Sequence, residues 1–301
     1  MAIVLGDNQY GKAETRVVRI YRDTERHEIR DLNVSTALRG DFAAAHLSGD
    51  QAHVLPTDTQ KNTAFAYAKE RGIGAIEDYA LALAGHFTGE VESVTRARVD
   101  VDEYRWERIN VDGTGHPHAF VRSGQEIRSA AAVIDTEGPV QAQWVVSGVR
   151  DLVLLKSTGS QFTGFLRDRY TTLAEAADRI LATSLTARWR YASTDVPWDD
   201  AFSQVRQILL ERFAVPHSRA LQQTLWDMGS AVLAARDDIA EIRLSAPNKH
   251  HFLADLSPYG LDNPGEVFHA DDRPYGLIQC AALREGAPDA GPAWDLPAEF
   301  A

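Results

Sequence analysis

The hydrophobic periodicity of this chain of 301 residues passes twice through the same order: strands, a pair of helices, then strands. In the first half, a period of two is typical of a strand with one buried face and runs through Leu32, Val34, Thr36 and Leu38. Helical spacing follows over 57–71, where Thr57-Asp58-Thr59 are favourable capping residues, and over 76–88. Alternation returns over 95–101 and near 118–122.

The second half repeats this order with different residues. Periodicity predicts strands over 127–136, 142–147, 151–156, 185–191, 240–244 and 275–283, and helices over 173–181, 202–213 and 221–232. Pro216 and Ser218 separate the last two helices and are typical of a stop followed by a cap. The repeat predicts an α+β fold in which paired helices cover one face of long antiparallel strands. We expect two similar domains, 1–135 and 136–288, followed by an irregular tail over 289–301.

Charge and cysteine content exclude several classes of protein. Lys and Arg number 31 and Asp and Glu number 43, so the net charge is −12, which argues against nucleic-acid binding and against docking on an anionic membrane. The single cysteine, Cys280, allows neither an internal disulfide nor a Cys-rich metal site. No apolar run is long enough for a membrane span, and the N-terminus lacks the pattern of a secretory signal. The C-terminal Glu299-Phe300-Ala301 is not a peroxisomal tripeptide, so a cytoplasmic protein is expected.

Two motifs that suggest other ligands are weak. Gly72-Ile73-Gly74 lacks the third glycine of a dinucleotide fingerprint and does not follow a strand. His116-Pro117-His118 has no carboxylate at ligand spacing, so a solvated loop is the better interpretation than a metal site.

Four polar segments stand at the edges of predicted elements, where functional sites tend to be built. They are Gln9-Tyr10-Gly11-Lys12, Thr57-Asp58-Thr59-Gln60-Lys61-Asn62-Thr63, Lys156-Ser157-Thr158-Gly159-Ser160-Gln161-Phe162 and Ala246-Pro247-Asn248-Lys249-His250-His251-Phe252. In combination and in order, together with Asp178-Arg179-Ile180-Leu181, they resemble the urate oxidase (uricase) family over nearly the whole chain. The absence of a targeting tripeptide fits a bacterial-type member.

The resemblance implies tandem T-fold domains that assemble into a homotetramer enclosing a tunnel, with active sites shared between subunits. It implies no metal or organic cofactor. The implied reaction oxidises urate with O₂ to 5-hydroxyisourate and hydrogen peroxide, within purine catabolism.

The resemblance also assigns roles to individual residues. Lys12 and Thr57 match the catalytic lysine and threonine, and Thr57 also contacts substrate. The backbone of Asp58 contacts the purine, on which Phe162 stacks. Arg179 matches the arginine that grips the substrate, where a planar guanidinium can donate two parallel hydrogen bonds to one edge of a flat anion.

The remaining assignments lie late in the chain. Gln222 matches the glutamine opposite the arginine and offers one donor and one acceptor to an amide-like edge; its neighbour Leu221 contributes a backbone contact. Asn248 is expected to hold O₂ and later the attacking water, and His250 is expected to extend the proton relay. His251 receives no role.

Two alternatives remain open at the level of sequence. One is a pterin- or GTP-type T-fold enzyme, although its zinc form is disfavoured by the single cysteine and the lack of a matching His cluster. The other is a non-catalytic purine-binding T-fold protein, which would keep Arg179, Gln222 and Phe162 without needing Lys12.

Overall fold

The computed structural model describes residues 2–295, which contain eleven β-strands and five α-helices. The strands are β1 (Thr15–Tyr21), β2 (Glu28–Gly40), β3 (Val94–Glu103), β4 (Trp106–Val111), β5 (Thr114–Arg122), β6 (Ile127–Asp135), β7 (Ala142–Lys156), β8 (Leu181–Tyr191), β9 (Ile239–Leu253), β10 (Phe268–Asp271) and β11 (Leu277–Leu283). The helices are α1 (Ala43–Ser48), α2 (Thr57–Glu70), α3 (Ile76–Glu90), α4 (Trp198–Ala214) and α5 (Leu221–Ala235). Short 3₁₀ helices occupy Ser257–Tyr259 and Gly291–Trp294. The C-terminal tripeptide Glu299-Phe300-Ala301 lies outside the described residues.

The chain divides into two compact units, and the first comprises the chain up to Gly148, residues 190–201 and the chain from Ala287. Its sheet has the order β1-β2-β3-β6, and β6 is hydrogen-bonded in turn to β7. The pairs β1–β2, β2–β3 and β3–β6 are antiparallel. Strands β4 and β5 form a separate antiparallel hairpin.

Helices α2 and α3 cover one face of the sheet in the first unit, where α2 contacts β1 and α3 contacts β3 and β6. The core between them is built from the positions that the periodicity predicted. Leu32 and Leu38 of β2 and Ile76, Leu83 and Phe87 of α3 are all fully buried. Removal of this apolar surface from water is the main force that joins helix to sheet.

The second unit comprises Val149–Trp189 and Phe202–Gly286. Its long strand β9 has two antiparallel partners: β11 pairs with residues 241–247 and β10 pairs with residues 250–253. Helix α5 packs on β9 and β11. A Cβ atom at Gly229 would lie 3.1 to 3.3 Å from Leu244, Ala282 and Ile242, so the absence of a side chain there permits the close approach of helix to sheet.

The predicted α+β fold with antiparallel strands is confirmed, and so are most of its elements. The predicted strands over 142–147 and 151–156 form the single strand β7, which continues through Asp151 with a φ of 56°. The predicted helix over 173–181 is wrong, since these residues form a loop and then enter β8.

The domain boundary near residue 135 stays a prediction. In the predicted tail, Pro292 and Ala293 are buried and Ala293 packs with Ala131 and Val146.

Within residues 2–295, no helix has both the length and the apolar character needed to cross a bilayer.

Candidate functional site

The segment that carries Lys12 lies against strand β2. Tyr10 forms an isolated antiparallel bridge with Leu38, and the Lys12 amide donates a hydrogen bond to the Thr36 hydroxyl at 3.1 Å. The Thr36 amide donates in return to the Lys12 carbonyl at 2.9 Å. A Cβ atom at Gly11 would stand 1.7 Å from the Thr36 carbonyl oxygen, so only glycine allows this approach. The Tyr-Gly-Lys motif therefore fixes the backbone from which the Lys12 side chain starts.

Thr57 and Asp58 are the first two residues of α2. The predicted capping role of Thr57-Asp58-Thr59 is wrong, because the N-cap residue is Pro56 and none of the described side chains caps the helix. Among residues 2–295, the Thr57 hydroxyl has no hydrogen-bond partner. The amides of the first turn also lack partners inside the helix, as at every helix start. This end of α2 therefore presents hydrogen-bonding groups and the positive end of the helix dipole.

The Asp58 side chain is occupied within its own helix. Its carboxylate accepts hydrogen bonds from Lys61 and, at 3.0 Å, from Asn62. These bonds hold the pKa of Asp58 below its ordinary value, and the positive charges of Lys61 and Lys12 act in the same direction. The Asp58 carboxylate is thus engaged within its own helix, and the contact of its backbone with a purine stays a prediction.

Phe162 and Arg179 are brought together by the loop that replaces the predicted helix. Phe162 pairs with Ala176 through two backbone hydrogen bonds of 2.8 and 3.0 Å, and the Arg179 amide donates to the Ser160 carbonyl at 2.8 Å. The Arg179 guanidinium carbon then lies 5.1 Å from the ring centroid of Phe162. Phe165 stacks on the same ring at 4.8 Å. These contacts place a planar cation over an aromatic ring.

Asp178 holds this loop in shape and was not singled out by sequence reasoning. Its carboxylate accepts hydrogen bonds from the Thr158 hydroxyl at 2.5 Å and from the Gly159 amide at 2.8 Å. Hydrogen bonding to the charged form lowers the pKa of Asp178, and the Thr158 bond contributes most. Because Asp178 directly precedes Arg179, its hydrogen bonds also fix the backbone position from which the Arg179 side chain extends. Its position next to Arg179 in the sequence is the one feature from which this role could be predicted.

The Arg179 side chain has unused hydrogen-bonding capacity. Its Nε atom is buried and has no partner among residues 2–295. Burial lowers the pKa of the guanidinium, but an arginine keeps its charge in proteins. A buried charged donor without a partner is costly unless a ligand or water supplies the acceptor. The arrangement suits an anion bound against Arg179.

The start of α5 carries Leu221 and Gln222 and is joined to the same loop. The Ser218 amide donates to the Gly159 carbonyl at 2.9 Å, and the Gln161 amide donates to the Ser218 carbonyl at 2.8 Å. The predicted cap at Ser218 is wrong: the N-cap is Ala220, and the Ser218 hydroxyl bonds that of Thr224 at 2.7 Å instead. Leu221 is buried, whereas the Gln222 side chain is exposed. Leu221 and Gln222 thus occupy the same two helical positions in α5 as Thr57 and Asp58 in α2.

Asn248 and His250 lie within β9 rather than at its end. The Asn248 amide donates to the Gly276 carbonyl at 2.8 Å, and His250 stands opposite Asp271 of β10. Asn248 therefore lies at the point where β9 changes its partner from β11 to β10. Residues two apart on a strand share a face, so both side chains point to one side of β9. His250 stacks on Phe252 at 5.7 Å.

The predicted site residues fall into two sets. Lys12, Thr57 and Asp58 belong to the first unit, whereas Phe162, Arg179, Leu221, Gln222, Asn248 and His250 belong to the second.

Within residues 2–295, no three His, Cys, Asp or Glu side chains are grouped as metal ligands would be. The predicted loop at His116 and His118 is instead strand β5.

Comparisons with known proteins agree with the motifs. A family model described as Uricase matches residues 8–133 and 145–279. A uricase from Arthrobacter globiformis is 52% identical over 298 residues, covering 99% of this chain and 96% of the relative. A uricase from Danio rerio is 38% identical over 282 residues, covering 92% and 93%. The crystal structure of the Arthrobacter globiformis uricase superimposes with a TM-score of 0.93 at 51% identity, covering 98% of this chain and 100% of that chain.

Proposed function

The chain belongs to the uricase family, and we propose that it oxidises urate with O₂ to 5-hydroxyisourate and hydrogen peroxide, as a step of purine catabolism. The family match covers nearly the whole chain. The structural observation that carries the proposal is the buried Nε of Arg179, which has no partner among residues 2–295 and lies beside the Phe162 ring.

Urate is a flat, electron-rich anion, and each proposed binding residue is complementary to one of its chemical properties. The Arg179 guanidinium donates two parallel hydrogen bonds to one edge of the anion. Phe162 supplies a face for offset stacking, which contributes about 0.5–1.5 kcal/mol beyond area burial. Gln222 pairs one donor and one acceptor with the amide-like edge of the purine, and the Leu221 and Asp58 backbones add amide contacts.

The proposed chemistry activates the substrate rather than oxygen. Urate gives up two electrons and two protons, O₂ takes them to become hydrogen peroxide, and water supplies the hydroxyl group of the product. In its neutral amine form Lys12 accepts a proton through the Thr57 hydroxyl, and the His250 imidazole, which can both donate and accept a proton, extends the relay. Asn248 holds O₂ and afterwards the attacking water above the ring. Because the electrons come from urate itself, this reaction needs no metal or organic cofactor.

The complete site is proposed to form between two subunits of a homotetramer. One subunit supplies Lys12, Thr57 and Asp58, and its partner supplies the residues of the second unit. An isologous contact of this kind yields two equivalent sites for each pair of subunits. The proposed compartment is the cytoplasm.

One assay tests the proposed activity. Purified protein is mixed with urate under air, and the loss of urate ultraviolet absorbance is followed together with the formation of peroxide. We expect both signals to change in equal molar amounts. Binding of urate without turnover would instead indicate a non-catalytic purine-binding protein. Neither binding nor turnover, with activity on a pterin or GTP ring, would indicate the other T-fold class.

A further inference from the structure

A buried hydrogen bond joins Thr36 of β2 to Gln60 of α2. Thr36 is 3% exposed and Gln60 is 0% exposed, and the Thr36 hydroxyl lies 2.6 Å from the Gln60 Oε1 atom. Glutamine is seldom fully buried, because its amide needs partners that an apolar core does not provide. A glutamine at this depth therefore depends on the specific bonds that it makes.

The direction of these bonds follows from the donors available. The Lys12 amide can only donate, so the Thr36 hydroxyl accepts from it at 3.1 Å. The single hydroxyl proton of Thr36 is then given to Gln60 Oε1, which can only accept. The Gln60 Nε2 atom in turn donates to the Leu55 carbonyl at 3.4 Å.

The bonds close into a ring that includes the Tyr-Gly-Lys segment. The Leu55 carbonyl also accepts a hydrogen bond from the Tyr10 hydroxyl at 3.1 Å, and Tyr10 is joined to Lys12 through Gly11. The ring thus runs from Lys12 through Thr36, Gln60, Leu55 and Tyr10 back to Lys12. Leu55 stands two residues before Thr57, so the ring connects the backbone of Lys12 with the backbone that precedes Thr57. Lys12 and Thr57 are the two residues proposed to transfer a proton.

We propose that Thr36 and Gln60 are positioning residues that set the separation between the Lys12 Nζ atom and the Thr57 hydroxyl; this inference rests on the proposed function. Neither residue touches the substrate. Both side chains act through the backbone, because their hydrogen bonds hold the Lys12 backbone and the start of α2 at a fixed distance from each other. A displacement of about 1 Å between reacting groups can lower a rate by about 100-fold, so a ring of this kind affects turnover more than binding.

The substitution that tests this idea is Thr36→Val, which keeps the shape of the side chain and removes the hydroxyl. Thr36→Ser is the rescue variant, because it restores the hydroxyl. Gln60→Met breaks the ring at its second member. Thr183→Val is the matched control: Thr183 is a strand residue that is 1% exposed, and its hydroxyl has no partner among residues 2–295.

We expect Thr36→Val and Gln60→Met to lower kcat by about 10- to 100-fold, with KM changed by less than about 3-fold. Thr36→Ser is expected to recover kcat to within about 3-fold of wild type, and Thr183→Val to stay at wild type. Circular dichroism and thermal melts confirm that each variant is folded at the assay temperature. If Thr36→Val does not fold, the comparison of Thr36→Ser with Gln60→Met decides the question by the same criteria.

Three results would overturn the proposal. The first is a folded Thr36→Val or Gln60→Met protein with wild-type kcat. The second is an equal loss in Thr183→Val, since buried strand hydroxyls in general would then be responsible. The third is a rise in KM without a fall in kcat. If wild-type protein does not oxidise urate, the proposed function fails instead, independently of these comparisons.

Discussion

The guanidinium carbon of Arg179 lies 5.1 Å from the ring centroid of Phe162, although a loop separates the two residues in the sequence. Backbone bonds of Phe162 to Ala176 and of Arg179 to Ser160 fold the intervening loop back on itself. The loop thereby places the planar cation over the aromatic ring, and the buried arginine Nε has no partner in the part of the chain that the structure describes.

The first prediction concerns substrate binding by Arg179. Arg179→Ala is expected to weaken binding by roughly 1.5–3 kcal/mol, because a charge-assisted contact to the anion is lost. Arg179→Lys is expected to recover only part of this, since an ammonium group keeps the charge but cannot donate two parallel bonds. The measurements are KM and the equilibrium binding of a non-reactive purine analogue. Arg169→Ala, an exposed arginine of the same loop, serves as the control and is expected to leave both unchanged. Equal affinity of the alanine variant and wild type would contradict the proposed role.

The second prediction separates chemistry from binding. Lys12→Met is expected to lower kcat by about 10²–10⁴, the usual range for a positioned acid–base group, with a much smaller change in affinity. Steady-state kinetics with urate measure both effects. Lys61→Met is the control, because Lys61 lies in the same polar region but bonds the Asp58 carboxylate instead. Near-normal turnover by Lys12→Met would show that the proposed relay is wrong.

The sequence predicts those parts of the fold that depend on contacts between neighbouring residues, and not those that depend on contacts between residues farther apart in the chain. Helices α2, α3 and α5 and strands β2 and β3 follow local periodicity, so composition and spacing were enough to find them. Residues 173–180 have helical spacing but form a loop, because their shape is set by the partners of Ala176 and Asp178 in the segment before residue 163, which no local pattern contains. In the same way, Thr36 is one more position in the alternation of β2, and only the fold reveals its bond to Gln60.

The site residues themselves were predicted by family resemblance rather than by physical pattern. A lysine after a glycine, or an arginine in Asp-Arg-Ile-Leu, has many ordinary explanations when taken alone. The structure adds reasons for the motif residues around them. Gly11 permits the contact with Thr36, and Asp178 holds the residues that precede Phe162.

The third prediction is that activity does not require a metal or organic cofactor. Protein treated exhaustively with chelators is expected to keep its urate oxidase activity, and its absorption spectrum is expected to lack flavin and haem bands. The reason is that urate supplies the electrons and the proposed relay removes protons from it. Activity that disappears on chelation and returns with added metal would contradict this mechanism.

The fourth prediction concerns pH-dependent stability at Glu103. Burial raises the pKa of this carboxyl above its ordinary value, although Arg30 and Arg128 act in the opposite direction. A carboxyl whose pKa is higher in the folded protein contributes stability that is fully present below its unfolded pKa and is lost as pH rises through the folded pKa. Glu103→Gln cannot ionise, so its free energy of unfolding relative to wild type is expected to rise with pH, from about pH 4, the ordinary pKa of a glutamate, up to the higher pKa of the folded carboxyl.

Urea unfolding of both proteins at several pH values measures that difference. The ion pair of Glu103 with Arg30, whose atoms lie 2.9 Å apart, forms only when Glu103 is ionised, so its contribution is already part of the folded-state pKa that the slope reports. Glu107→Gln is the control, since the Glu107 side chain is half exposed. A difference that is constant with pH would contradict the prediction.

The last prediction tests whether one active site draws on two subunits. Thr57 belongs to the first compact unit and Arg179 to the second. Thr57→Ala and Arg179→Ala proteins are each expected to be nearly inactive alone. If sites form across a two-fold contact, a mixed pair has one site that carries both lesions and another that carries neither. Random co-assembly of equal amounts makes half of the pairs mixed, and each mixed pair has one intact site of two.

Activity is therefore expected to recover to roughly a quarter of wild type. The two variants must be mixed during co-expression or refolding, because assembled oligomers can exchange too slowly to form mixed pairs. Differently tagged subunits and tandem purification isolate the mixed oligomers, and mixtures of separately assembled variants provide the baseline. Verified mixed oligomers without recovered activity would mean that each chain builds its own site, because every site would then keep one of the two lesions.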